Sequence, residues 1–122
     1  MRVAVLADDL IWSTRLADGL RAAGAEPRSV RSLAALRDAL PDVERVVVDL
    51  TARAYDGVAA IAAAHAAGRP VLAVGQHDDH ELRKRSLAAG ADRVYAYRKL
   101  FDDGPATLAT WLAAAAPTGA AG

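Results

Sequence analysis

Short apolar runs alternate along this chain with longer segments whose apolar residues recur at helical spacing. The first run, Arg2-Val-Ala-Val-Leu-Ala7, has no polar alternation within it and stops at Asp8 and Asp9. That pattern predicts a strand buried on both faces, as in a parallel sheet. Residues 11–23 then place Leu16, Leu20 and Ala23 on one helical face, with Gly24 as the stop. A weaker strand is predicted at 26–30, on a sheet edge because Pro27 has no N–H for a ladder. Ser32 is a good cap for a short helix carrying Leu33, Leu36 and Leu40, ended by Pro41. The clearest strand is 45–50 (RVVVDL), followed by a loop and an alanine-rich helix over 56–67 that Gly68 ends. A fourth strand is predicted at 70–74 and a fifth at 92–97. Between them Asp78 and Glu81 have capping-box spacing for a helix running to Ala89, with Gly90 as its stop. Pro105 suits the first turn of a last helix that ends near Ala115, and residues 117–122 have nothing to bury and are expected to fray.

Five strand–helix alternations with gaps too short for hairpins call for parallel strands and right-handed crossovers. The predicted fold is a three-layer, doubly wound α/β domain with a five-stranded parallel sheet and five helices, spanning residues 1–116. A length of 122 residues leaves no room for a second domain. Aromatics are only 5% of the chain, so the core is built from Ala, Val and Leu. Fifteen basic residues balance fifteen acidic ones, which argues against a dedicated nucleic-acid binder. The absence of cysteine removes disulfides, thiolate metal sites and cysteine nucleophiles together. No run reaches the roughly 20 apolar residues of a membrane span and no signal peptide is evident, so the chain is expected to be cytoplasmic.

Ligands of such sheets sit beyond the carboxyl ends of the strands, where the strand order reverses. Asp8 and Asp9 follow the first strand, Asp49 ends the third, Gly75-Gln76-His77 follow the fourth, and Tyr97-Arg98-Lys99 follow the fifth. Carboxylates gathered in one crevice repel one another unless a cation intervenes, and an all-oxygen, partly hydrated site suits magnesium. The plainer alternative is that Asp8 and Asp9 cap the first helix.

This constellation resembles the receiver domain of bacterial response regulators. The resemblance rests on the acidic pair closing the first strand, Asp49 closing the third, Asp56-Gly57 seven and eight positions on, and the turn Ala88-Ala-Gly-Ala-Asp92. It covers residues 2 to 115 and implies a strand order of 2-1-3-4-5. It further implies that Asp49 is the phosphoacceptor of a phosphorelay and that Asp8, Asp9, Asp49 and the backbone carbonyl of Thr51 hold Mg2+. A histidine kinase or another protein partner is expected, with a possible homodimer through the face between the fourth and fifth helices. Arg83, Lys84, Arg85 and Tyr95 would lie on that face, the three basic residues exposed and Leu82 or Leu87 turned inward.

The chain also departs from the family pattern. A fourth-strand hydroxyl is replaced by Gly75, the lysine and proline after the fifth strand by Tyr97 and Arg98, and the loop proline by Arg53. The aromatic switch position falls on Val94, with Tyr95 on the opposite face. Glycine offers no side-chain hydrogen bond to a phosphoryl oxygen and tyrosine supplies no cation. The expectation is therefore an atypical receiver rather than an enzyme. A phosphorylation-independent scaffold and a small-molecule or nucleotide-binding domain are the alternatives. His77-Asp-Asp-His80 straddles a loop-to-helix junction, where capping by Asp78 is the simpler role. Trp12 and Trp111 are expected to be packing residues and His65 a surface residue. No GxGxxG, P-loop or G-x-S-x-G motif is present.

Overall fold

A computed structural model describes residues 1–114; the segment 117–122 lies outside the described residues. The elements run in order β1 (Arg2–Leu6), α1 (Leu10–Ala22), β2 (Glu26–Val30), α2 (Leu33–Ala39), a 3-10 turn (Leu40–Asp42), β3 (Arg45–Asp49), α3 (Gly57–Ala66), β4 (Val71–Gly75), α4 (His80–Ala89), β5 (Arg93–Ala96) and α5 (Tyr97–Ala113). All pairings are parallel and the order is β2-β1-β3-β4-β5. The three-layer architecture and the strand order are those expected.

Alternate residues of the central strands feed two separate cores, because successive side chains point to opposite faces. Val3, Val5, Val47, Leu72 and Val74 pack under α1 and α5, against Leu16, Leu20, Leu108 and Trp111. Ala4, Leu6, Val46, Val48 and Ala73 pack under α2, α3 and α4, against Leu36, Ile61 and the half-buried Leu82. β3 and β4 are buried along their whole length, the reason their sequences read as unbroken apolar runs. Charged residues stand at both ends of β3, and the first, Arg45, is 6% exposed and donates to the carbonyls of Trp111 and Ala114 at the end of α5. Its guanidinium also lies 5.3 Å from the centre of the Trp111 ring. One side chain thus holds the last turn of α5 to the start of β3.

Two expected boundaries are corrected. α4 is capped by Asp79, whose carboxylate accepts the N–H of Leu82, and not by Asp78. Asp78 lies one residue too early and instead accepts the N–H of His80 through its carbonyl. The last helix begins at Tyr97, earlier than Pro105 suggests. It is two helical stretches joined at Asp103 (φ −146°, ψ 33°), and Pro105 stands in the first turn of the second. At the end of α4, Gly90 has a φ of +117°, and a Cβ there would lie 2.3 Å from the exposed His65 ring. Leu82 turns inward, whereas Leu87 is 43% exposed.

Candidate functional site

The carboxyl ends of β1, β3, β4 and β5 bring Asp8, Asp49, Gly75 and Tyr97 to one edge of the sheet. Asp49 is the last residue of β3 and is fully buried. Its Oδ1 accepts from the N–H of Thr51 (3.0 Å) and the Thr51 hydroxyl (2.9 Å), a local turn that uses the chain just after the strand. The Tyr97 hydroxyl donates to the same oxygen. Oδ2 is buried without a hydrogen-bond partner, and no Lys, Arg or His of the described residues forms an ion pair with Asp49.

Two tyrosines close the site. Tyr97 opens α5, lies with its ring centre 4.1 Å from that of Trp12 on α1, and so reaches Asp49 from the fifth strand's end. Burial, followed by the hydrogen bond to Asp49, pushes its phenol well above the ordinary tyrosine range. Tyr55, in the loop after β3, places its hydroxyl 2.9 Å from the Leu6 carbonyl and 2.6 Å from the Asp49 carbonyl, bridging β1 and β3. Its phenol is likewise pushed up, by burial first and then by the charges of Asp49 and Asp8. Both tyrosines are therefore neutral donors at physiological pH.

Asp8 and Asp9 do not join Asp49 in a three-carboxylate cluster. Asp8 Oδ2 accepts the N–H groups of Arg53 and Ala54, each at 3.1 Å, and so fastens the loop that carries Tyr55. Asp9 caps α1, its Oδ1 accepting from Ile11 (2.8 Å) and Trp12 (3.2 Å). Thr51 turns its N–H and hydroxyl toward Asp49. The residues do not fit the magnesium ion that the family resemblance implies. A small octahedral cation needs several free oxygens at about 2.0–2.1 Å. Here one oxygen of each carboxylate is already engaged, Asp49 is sealed, and no group of three acidic or histidine side chains among the described residues is arranged to hold a metal. His77 and His80 form no such group either.

The remaining site positions explain the departures. A Cβ on Gly75 would lie 3.3 Å from Leu50 Cδ1, so the Leu50 side chain occupies the space beside the end of β4. Arg98 points away from Asp49, 90% exposed and 3.8 Å from Asp102. Lys99 sits with its ammonium 5.8 Å from the centre of the half-buried Tyr95 ring. Arg83, Lys84 and Arg85 are exposed on α4, and Arg83 Nη1 donates to the Val94 carbonyl at 2.6 Å. The contact of Tyr97 with Asp49 was missing from the sequence reading. The position of Tyr97 directly after the fifth strand, where the family pattern has lysine, was the signal that pointed to it.

No family model and no curated protein matches the chain. Solved structures do share its fold. A CheY-like response regulator receiver domain protein from Methanospirillum hungatei JF-1 is 19% identical, with a TM-score of 0.71 over 88% of this chain and 92% of that one. A response regulator receiver domain from Rhodospirillum rubrum is 18% identical, with a TM-score of 0.75 over 96% of this chain and 97% of that one. The receiver domain of Francisella response regulator 1452 is 15% identical, with a TM-score of 0.73 over 88% and 92%. The class defined by the fold is therefore the response-regulator receiver fold. At these identities the likeness is one of fold, and the role of the site is argued from its own geometry.

Proposed function

We propose that this chain is a receiver-like signalling module that works through protein contacts, with Asp49 serving as a buried structural carboxylate and not as a phosphoryl acceptor. The observation that carries this reading is the Tyr97 hydroxyl on Asp49 Oδ1, together with the complete burial of Asp49. A carboxylate nucleophile has to present a lone pair in line with phosphorus at about 3–3.5 Å. Here Tyr97 and Thr51 occupy Oδ1, Oδ2 is buried, and no cationic side chain of the described residues is ion-paired with Asp49. Phenol and threonine hydroxyls satisfy one carboxylate oxygen, whereas conversion to an acyl phosphate takes the side chain from one negative charge to close to two and adds three acceptor oxygens.

A second reading, an atypical acceptor served by a histidine kinase, is favoured by one observation: Asp49 Oδ2 has no partner and is chemically free to attack if Tyr97 swings away. Intact-mass analysis after incubation with a small acyl phosphate separates the two. The first reading expects an unlabelled native protein and increased labelling in Tyr97→Lys, which exchanges the blocking phenol for a cation. Gly75→Thr is the less clean partner, since Leu50 has to move to admit it. Ready labelling of native Asp49 overturns the first reading and selects the second.

A further inference from the structure

We infer that the joint of α5 is a self-modification site, where the folded chain slowly converts Asp103 to isoaspartate through the nitrogen of Gly104. The chain has three Asp-Gly pairs, at 18–19, 56–57 and 103–104, and no asparagine. In such a pair the main-chain nitrogen of the glycine bonds to the aspartate Cγ, and one carboxyl oxygen leaves as water with the carboxyl and amide protons. The five-membered succinimide then takes water back at one of its two carbonyls. Opening at Cγ restores aspartate, whereas opening at the main-chain carbonyl leaves the chain running through the side chain as isoaspartate. Water is the only co-reactant, lost in the first step and regained in the second. The first step needs nitrogen and Cγ about 3–3.5 Å apart and aligned, so a fixed backbone or a fastened carboxylate suppresses it.

The fold treats the three pairs differently. Asp18–Gly19 lies inside α1, where the i to i−4 ladder holds the backbone. Its carboxylate accepts from Arg21 at 3.1 Å, and a Cβ on Gly19 would lie 2.7 Å from Leu108 Cδ1. Asp56 caps α3 through the N–H of Ala59 at 3.1 Å, and a Cβ on Gly57 would lie 3.0 Å from Leu50 Cδ2. Asp103 is exposed, and its carboxylate has no hydrogen bond or ion pair among the described residues. Its backbone has left the helix, and Pro105 in the same turn has no N–H for the Phe101 carbonyl. Gly104 is buried, yet it borders a groove of about 370 Å³ between α1 and α5, and a Cβ there would meet nothing within 4 Å. This turn can rotate into the ring geometry without displacing packed side chains. An isoaspartyl link there adds one carbon to the main chain, between the stretch that carries Tyr97 and the stretch that Leu108 and Trp111 fix to the core.

The test does not depend on the role of Asp49. Native protein is incubated at mildly acidic pH, folded and in guanidinium chloride, and isoaspartate is read by methylation with an isoaspartyl methyltransferase and located by electron-transfer fragmentation of its peptides. The folded protein should accumulate isoaspartate at 103 while 18 and 56 stay aspartyl, and the unfolded chain should convert at all three. Asp103→Glu, an exposed change that would require a six-membered ring, should abolish the folded-state signal. Gly104→Ala, at a residue without positive φ, should slow it. No isoaspartate at 103 in the folded protein overturns the inference, as does conversion at 18 or 56 as fast as at 103.

Discussion

Tyr97→Phe removes one hydroxyl and little else, since the phenylalanine ring keeps its place against Trp12. What is lost is one of three donors to Oδ1 of the fully buried Asp49. A hydrogen bond to a charged group contributes about 1.5–3 kcal/mol, and the carboxylate left behind keeps only the two Thr51 donors on Oδ1 and none on Oδ2. At roughly 3–6 °C per kcal/mol for a domain of this size, the melting temperature should fall by about 5–15 °C. Urea denaturation gives the free energy directly, with an unchanged slope if the native state stays compact. The double variant with Asp49→Asn isolates the pair. Once the buried charge is gone, the tyrosine hydroxyl has less to stabilise, so the two substitutions should be clearly non-additive. A Tyr97→Phe protein within about 0.5 kcal/mol of native, or strictly additive behaviour with Asp49→Asn, would refute the claim that the phenol holds Asp49.

Three other outcomes follow from the same contacts. Both Tyr55 and Tyr97 hold their protons more tightly folded than unfolded, so their contribution is intact below the unfolded value of about 10 and is lost as pH rises above it; alkaline denaturation should be blunted in Tyr55→Phe relative to its own stability at neutral pH. Arg45→Met keeps much of the buried stem but frees the carbonyls of Trp111 and Ala114, and thermal unfolding should register a loss of about 1.5–3 kcal/mol. Asp79→Ala should cost about 1 kcal/mol by removing the cap of α4, whereas Asp78→Ala should be close to neutral in the same melting assay.

The parts of this molecule legible in the sequence are those fixed by period and by chain-breaking residues. β1, β3 and β4 are read from unbroken apolar runs because both of their faces are covered, and α1, α3 and α4 end at Gly24, Gly68 and Gly90, all at positive φ. The start of α5 was not legible: Tyr97-Arg98-Lys99 carries neither an N-cap side chain nor a stop after β5, and Ala96 makes no side-chain cap. The capping residue of α4 was misplaced by one because Asp78 and Asp79 are chemically alike and only the local turn decides between them. At the site, spacing located Asp49, Gly75 and Tyr97 but not the direction of their side chains. Asp8 and Asp9 look like metal ligands in one dimension. In three, backbone N–H groups of the neighbouring loop and helix claim an oxygen of each. The capping role of Asp9 was the plainer alternative open in the sequence, whereas the contact of Asp8 with Arg53 and Ala54 joins loops 45 residues apart and leaves no local pattern to read.

The central claim is that Asp49 is bound by Tyr97 and closed to phosphoryl chemistry, and the carboxyl carbon of Asp49 reports on it most directly. In protein carrying carbon-13 in its aspartate side chains, that resonance is assigned by its loss in Asp49→Asn and followed as Mg2+ and then an acyl phosphate are added. The account predicts a resonance that shifts in Tyr97→Phe but stays in place through both additions to the native protein. A native Asp49 signal that moves on adding Mg2+, or is replaced by that of an acyl phosphate, would contradict it.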